Sequence, residues 1–360
     1  MNQLFDISSD DEDIIDFVEH LERPRKRRRY QERKNHLDYW DDQEFYNRFR
    51  FSKPSVRRIL EKIEEAIKSP TNWNHALSPI EMLLLTLRYY ACGSMLIVVG
   101  DFAGVHKSTA SKAIFKVTQA IASLRLEYIK FPETQEERNK TQLEFYKIAR
   151  FPRVLGALDC THVRIQAPGG ENGETFRNRK GFFSFNVQTV SDANLKILDI
   201  VARWPGSSHD STIFNQSRLC GRFENNEMGN GLLMGDGGYP LKSYLITPLA
   251  NTNTRAENLF NEAQIRTRNP VERSYGVWKR RFPILSSGIS LKTEKVQWII
   301  VATAVLNNMA CDLKEQDPPS LSPEEERAFN FVNNVPVEPV RRNGNNNHAR
   351  TNLIMYFENL

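Results

Sequence analysis

Four acidic residues at the ends of apolar runs limit what this 360-residue chain can become. Asp159 closes the run Val154-Leu155-Gly156-Ala157-Leu158, and Asp236 closes Leu232-Leu233-Met234-Gly235. Asp210 follows a third strand-like stretch through Pro205-Gly206-Ser207-Ser208-His209. Glu272 follows Asn269-Pro270-Val271, which has the form of a helix start. An ionised carboxylate in apolar surroundings is costly unless a cation, a metal or hydrogen-bond donors meet it. Asp159 alone is open to two readings: a metal ligand, or a buried aspartate that caps a loop amide or pairs with an arginine. Several such carboxylates, delivered from separate strands and one helix, suit Mg2+ or Mn2+. These ions take hard oxygen ligands and in phosphoryl transfer often act as a pair.

The rest of the composition narrows the class. With 40% hydrophobic and 26% charged residues, the chain reads as globular with polar ends, long enough for two domains and tails. The longest apolar stretch, 298–306, is too short to span a bilayer, so no membrane role is expected. The first residues are acidic rather than a basic stub before an apolar core, which argues against a secretory signal and for an intracellular protein. Cys92, Cys160, Cys220 and Cys311 form no CxxC pair, so they read as free thiols rather than zinc ligands. Cys160 beside Asp159 reads as a core residue.

The chain divides into four stretches. Residues 1–36 form a tail with an acidic block, Ser8-Ser9-Asp10-Asp11-Glu12-Asp13, and a basic run, Arg23-Pro24-Arg25-Lys26-Arg27-Arg28-Arg29. Such segregated charge is expected to be disordered. The basic run suits nuclear import or a phosphate-contacting arm. Residues 37–150 are helical by periodicity. Val56, Ile59, Leu60, Ile63 and Ile67 share one face, and Pro79 after Ser78 marks a helix start. Within this region 96–114 scans as helix, turn at Gly104, and a second helix capped near Lys107-Ser108, a helix-turn-helix pattern. Lys107, Ser108 and Lys112 at its start suit entry into a DNA groove, while an ordinary helical hairpin is the alternative.

Residues 151–314 change to strands at 153–165, 183–190 and 197–204, with Asp192-Ala193-Asn194 as a hairpin turn. A helix is expected over 211–224, and short strands at 232–235 and 245–249. Pro270 and Pro283 would then bound a helix carrying Glu272. This order predicts an α/β fold resembling ribonuclease H, a mixed sheet flanked by helices and preceded by an all-α helix-turn-helix-type region. Residues 315–360 read as a flexible tail in which 349–357 could dock as a short helix.

Five motifs in order carry a family resemblance. They are Gly156-Ala157-Leu158-Asp159-Cys160-Thr161-His162-Val163, Asn178-Arg179-Lys180-Gly181 leading into Phe185-Asn186-Val187-Gln188, Pro205-Gly206-Ser207-Ser208-His209-Asp210-Ser211, Gly235-Asp236-Gly237-Gly238-Tyr239-Pro240, and Val271-Glu272-Arg273-Ser274-Tyr275-Gly276-Val277-Trp278-Lys279-Arg280-Arg281-Phe282. Together they resemble the DDE-superfamily transposases of PIF/Harbinger elements and the harbinger transposase-derived nucleases. The resemblance implies a divalent-metal DNA endonuclease with Asp159, Asp236 and Glu272 as the catalytic triad. Asp210 would be a further metal-associated carboxylate, and strand transfer would follow if the element were active. It also implies Mg2+ or Mn2+ as cofactor, DNA as substrate and a separate Myb-like DNA-binding protein as partner. A nuclear location, with some cytoplasmic presence, fits these expectations; self-association is compatible with the sequence but not specified by it. Cys160 stands where the family usually has glycine, and Gly237 where it often has serine; neither removes a ligand.

Other polar residues have two readings each. Asn178, Arg179 and Lys180 hold phosphate or form a solvated loop. Lys279, Arg280 and Arg281 contact DNA phosphates or form a basic helix end. His162 and His209, next to two of the aspartates, are expected to orient them by hydrogen bonds rather than to bind metal. Two other functions compete with the nuclease: a catalytically retired DNA-binding adaptor, which loss of a triad acid would favour, and a small-molecule phosphohydrolase, which the basic regions disfavour.

Overall fold

The run that carries Asp159 becomes the central strand of the sheet. In a computed structural model describing residues 33–69, 76–319 and 348–359, β1 (Val154–Arg164) pairs antiparallel with β2 (Ser184–Ser191) and parallel with β4 (Leu232–Met234). Antiparallel β3 (Ile197–Pro205) and parallel β5 (Leu245–Ile246) complete the order β3-β2-β1-β4-β5. Every residue of β2 is buried, because helices cover both faces of the sheet. Side chains alternate between those faces. Val154, Ala157 and Val163 join the larger core, while Leu155 and Leu158 join a smaller one with Phe214, Leu219 and Phe223. The expected ribonuclease H-like mixed sheet with a helical region before it is the fold of this chain. The acidic block at 8–13, the basic run at 23–29 and the proline- and asparagine-rich part of the tail at 320–347 lie outside the described residues.

Ahead of the sheet come α1 (His36–Tyr39), α2 (Asp42–Phe49), α3 (Lys53–Ile67), α4 (Pro79–Cys92), α5 (Leu96–Phe102), α6 (Lys107–Ser123), α7 (Arg125–Tyr128) and α8 (Gln135–Ala149). Ser78 and Glu81 close a capping box at the start of α4, with Pro79 in its first turn. α5 and α6 meet at a tight turn. A Cβ on Gly100 would sit 2.7 Å from the Val105 carbonyl oxygen, and Gly104 takes φ +63°. The cap of α6 is His106, whose Nδ1 accepts the Ser108 N–H at 3.2 Å. These helices bury Phe49, Val56, Leu87 and Ile121 in the same core as the sheet.

Behind β3 the expected single helix divides into α9 (Asp210–Asn215) and α10 (Arg218–Glu224), because the Ser217 hydroxyl caps the Cys220 N–H at 3.0 Å and starts a new helix. The strand expected over 245–249 ends at Ile246. Leu249 is instead held by the Asn261 side chain, which donates to its carbonyl and accepts its N–H at 3.0 and 2.8 Å.

The helix carrying Glu272 departs most from expectation. α11 (Arg255–Arg281) begins at a capping box of Thr254 and Glu257 and runs straight through Pro270. A proline inside a helix forfeits a backbone hydrogen bond and costs about 3 kcal/mol or more. Pro270 and Val271 are buried here, so packing offsets that cost. α12 (Ile284–Ser287) and α13 (Thr293–Asp312) follow. None of the described helices is long and apolar enough to cross a membrane.

The final helix, α14 (His348–Glu358), docks on α11 through Leu353 and Phe357, which are buried. The Phe357 ring lies 5.5 Å from Phe151 and 6.2 Å from Phe260. Phe357→Ala empties this three-ring contact and is expected to lower stability by about 3 kcal/mol or more, read as a reduced urea midpoint. An unchanged midpoint would show that α14 contributes nothing to the core.

Candidate active site

The parallel pairing of β1 and β4 places the first two acids side by side. Ala157 is in register with Met234, and Asp159 and Asp236 each stand two residues further along. β4 ends at Met234, so Asp236 sits in the turn beyond it, its Oδ1 accepting the Gly238 N–H at 3.0 Å. A Cβ on Gly238 would lie 3.1 Å from that same oxygen, whereas one on Gly237 would meet nothing within 4 Å. Glycine is therefore tightly fitted at 238, while 237 has room for a side chain.

Asp159 lies on the face of the sheet covered by α11. The Arg268 guanidinium donates to Asp159 Oδ2 at 3.2 Å and to Glu272 Oε1 at 2.6 Å, bridging β1 and the helix. Arg268 and Asp159 side chains are 15% and 17% exposed, against 50% for Glu272, so the bridge reaches from interior to surface. The Asp159 carboxyl is raised to about 8: burial pushes it up, Arg268 and the Cys160 N–H pull it down, and Asp236 and, more weakly, Asp210 add to the rise. Three carboxylates thus repel one another at one end of the sheet, and Arg268 is the cation that meets them.

Asp210 opens α9, and its Oδ1 accepts from Asn186 Nδ2 at 2.7 Å. The same amide nitrogen donates to the Ser208 carbonyl at 2.9 Å, which fixes the loop that presents Asp210. Burial raises the Asp210 carboxyl, the Asn186 bond lowers it, and Asp236 raises it again. Cys160 points away from Asp159, as expected. Its thiol reaches the Tyr239 hydroxyl at 3.3 Å and also bonds the Asp210 carboxylate, so it braces the site as well as filling the core. Among the described residues, no three His, Cys, Asp or Glu side chains are gathered closely enough to hold a metal ion.

Neither histidine orients a neighbouring aspartate. His162 Nδ1 pairs with the Ser184 hydroxyl at 3.0 Å, and His209 Nδ1 is met by Arg179 at 2.7 Å. Asn178 is buried and organises its loop, accepting from the N–H groups of Lys180 and Phe182 at 3.0 and 3.3 Å. Arg179 is exposed beside the residue that precedes Asp210, and Lys180 is half-buried. Lys107, Ser108 and Lys112 are exposed at the start of α6.

The run Lys279-Arg280-Arg281 does not form one basic surface. Successive helical residues point about 100° apart, and this helix is packed on more than one side. Lys279 is buried and donates to the His162 carbonyl at 3.0 Å. Arg281 is buried and donates to the Arg50 and Gln316 carbonyls, each at 3.0 Å. A phosphate-contacting role for Lys279 and Arg281 is thereby replaced by a structural one. Arg280 is half-buried.

Arg268 and Tyr275 were missed in the sequence. The Tyr275 hydroxyl donates to the Asp159 carbonyl at 2.6 Å and accepts from Thr189 Oγ1 at 3.0 Å. Arg268 precedes Glu272 by one helical turn, a spacing at which opposite charges pair, but a helix expected to start at Pro270 left it outside.

A family model described as DDE superfamily endonuclease matches residues 158–308, a span containing Asp159, Asp210, Asp236 and Glu272. HARBI1 of Mus musculus is 31% identical over 279 residues, covering 77% of this chain and 80% of that protein. The chain belongs to the Harbinger transposase-derived nuclease family of the DDE superfamily. HARBI1 of Xenopus laevis is 29% identical over 298 residues, 81% of this chain and 86% of that protein. The protein named ALP1-like of Arabidopsis thaliana is 23% identical over 313 residues, 78% of this chain and 76% of that protein. No solved structure matches the chain.

In this Harbinger-derived chain the buried lysine of α11 leaves a signature in stability. Burial, with Lys180 nearby, lowers Lys279 from 10.5 to about 7. From about pH 7 toward 10 the unfolded chain therefore keeps a proton that the folded chain has released, so this group makes stability rise with pH. Lys279→Met is expected to flatten that rise by on the order of 1 kcal/mol per pH unit, measured as urea midpoints at neutral and alkaline pH. Parallel curves for the two proteins would mean that Lys279 stays charged in the fold.

Proposed function

We propose that this protein is a divalent-metal-dependent DNA endonuclease in which Asp159, Asp236 and Glu272 are the catalytic acids and Asp210 is an accessory ligand. One observation carries the reading. Asp159 on β1 and Asp236 in the turn just beyond the neighbouring parallel strand β4 lie in matching register, and Glu272 is tied to Asp159 through Arg268. The donor set suits Mg2+ or Mn2+, since all four acids offer hard oxygens. The electrostatics suit a cation too, because Asp159 is buried against the charges of Asp236 and Asp210. A bound divalent ion would supply activation of the attacking water and stabilisation of the leaving oxygen.

The chain's own residues do the remaining work. The middle of β1 and the turn after β4 hold Asp159 and Asp236 in place, and Tyr275 locks the helix carrying Glu272 to the Asp159 backbone. Arg268 pairs with Asp159 and Glu272, and a divalent ion held by those acids would compete with it for their oxygens. Lys107, Ser108 and Lys112 on α6, with Arg179, Lys180 and Arg280 around the sheet, would track DNA phosphates. In this assignment 37–150 serves DNA binding and 151–314 the nuclease chemistry. A separate Myb-like protein would contribute site recognition, and the basic run at 23–29 would direct the protein to the nucleus.

The decisive experiment is nicking of supercoiled plasmid in Mg2+ or Mn2+. The expected result is cleavage that Asp159→Asn and Glu272→Gln each reduce by two or more orders of magnitude. Cleavage that survives both substitutions would sink the nuclease reading. The Arg268 bridge, which occupies two of the acids, favours one second reading, a retired adaptor. Salt-sensitive DNA binding without any cleavage would support it.

Metal binding has an independent readout in Arg268→Ala. Removing this cation takes away a charge that lowers the buried Asp159 carboxyl and the guanidinium that ties β1 to α11. The variant is expected to melt at lower temperature than the unmutated protein and to recover more of the loss on adding Mn2+. A thermal shift of equal size in both proteins would mean that Mn2+ binds away from Asp159.

A further inference from the structure

The free edge of the sheet lies in a groove with its own chemistry. β3 is the outermost strand, and among the described residues no backbone hydrogen bond from 198–204 leaves the sheet. Only its first residue is covered: the Asn308 side chain donates to the Ile197 carbonyl at 2.7 Å and accepts its N–H at 2.8 Å, as a neighbouring strand would. From there six consecutive β3 residues, 198–203, line one wall of a groove of about 590 Å³. An edge of this length without cover is a ready template for strand addition.

The groove is basic. Arg125, Lys130, Arg218 and Arg222 line it, with Arg203 on the strand itself. Arg222 is paired with Glu227 at 3.1 Å, and Arg203 donates to the Gln216 carbonyl at 3.1 Å. Arg125 and Arg218 are exposed and, with Arg222, act on the buried Asp199 carboxyl; with Glu133 that makes two acids against five cations, so the groove keeps an excess of positive charge for a ligand. Leu126, 71% exposed, gives the groove an apolar contact.

The unpaired edge separates two kinds of anionic partner. Asp199 lines the groove and is met by Arg125, Arg222 and Arg218, so it does not choose between them. A nucleic-acid strand brings no ladder of N–H and C=O groups to the β3 backbone. A peptide strand brings both, and acidic side chains on it suit the excess of cations. We infer that the β3 edge groove binds an extended acidic peptide segment of a partner protein, added to the sheet as a further strand.

A fluorescein-labelled peptide of four Glu-Val repeats tests this by anisotropy, beside a Lys-Val peptide and a Glu-Val peptide with central proline. The expected result is saturable binding of the Glu-Val peptide alone. Hydrogen exchange should slow at the amides of 198–204, and Arg125→Glu with Arg218→Glu should weaken binding at least tenfold. Both arginines are exposed, so the double variant should fold, and an unchanged circular dichroism melt serves as its control. Absence of saturable binding overturns the inference. So does equal binding of the proline peptide, which would reduce the groove to a charge patch. Protection of the same amides by a DNA oligonucleotide, displacing the peptide, would overturn it in favour of a nucleic-acid surface.

Discussion

Burying the Asp159 carboxylate is the constraint on which the rest of the structure depends. The strand that carries it is central, so its surroundings are apolar, and the neighbouring parallel strand brings Asp236 alongside. A fold without function would have no reason to accept two acids there, since each raises the cost of the other. The resolution in this chain is Arg268, placed by α11 so that one guanidinium serves Asp159 and Glu272 together. The Asp159 carboxylate is met on both oxygens, by the Cys160 N–H at Oδ1 and by Arg268 at Oδ2.

The burden then falls on α11. Arg268, Tyr275 and Lys279 recur along one face of that helix and each contacts β1, through the Asp159 carboxylate, the Asp159 carbonyl and the His162 carbonyl. Three side-chain contacts to consecutive parts of one strand leave little freedom for sliding or rotation. This explains why a buried proline is accepted mid-helix and why a lysine is buried near its end. Continuity of the helix across Pro270 places Arg268 and Glu272 on the same rigid element. A break there would free Arg268 from Glu272 and undo the bridge.

How much of this was legible follows from the same contacts. The strands around Asp159 and Asp236, the turn at Asp192, the α5–α6 turn at Gly104 and the docking helix at the C-terminus all show in the residues. Local pattern decides each of them: apolar runs, turn formers, spaced apolar side chains. What the sequence hid depends on tertiary partners. Pro270 reads locally as a helix start, and only the packing of Pro270 and Val271 and the capping box at Thr254 show that it is interior. Lys279-Arg280-Arg281 reads as one basic patch until the helix is seen enclosed, when two of the three turn inward to carbonyl groups. His162 and His209 were assigned by adjacency in sequence, but the pleat and the loop direct them to Ser184 and Arg179.

The pleat also keeps two surfaces apart. In register, Asp159 faces Thr189, and Thr189 faces Ile200, so these three side chains share the face under α11. Asp199 pairs instead with Val190, itself opposite Leu158, and so belongs to the other face, where α9 and α10 pack. A shift of one residue along a strand thus divides Asp159 from Asp199 in the edge groove. Two opposed needs can coexist on one sheet for this reason. On the proposed function, the end that carries Asp159 attracts a polyanion despite its carboxylates, which calls for cations around it. The β3 edge offers arginines together with unpaired backbone groups, a combination that an acidic peptide strand satisfies and a phosphate chain does not. A partner bound along β3 would occupy the sheet without covering Asp159, and cleavage and recruitment could then proceed on the same molecule at once.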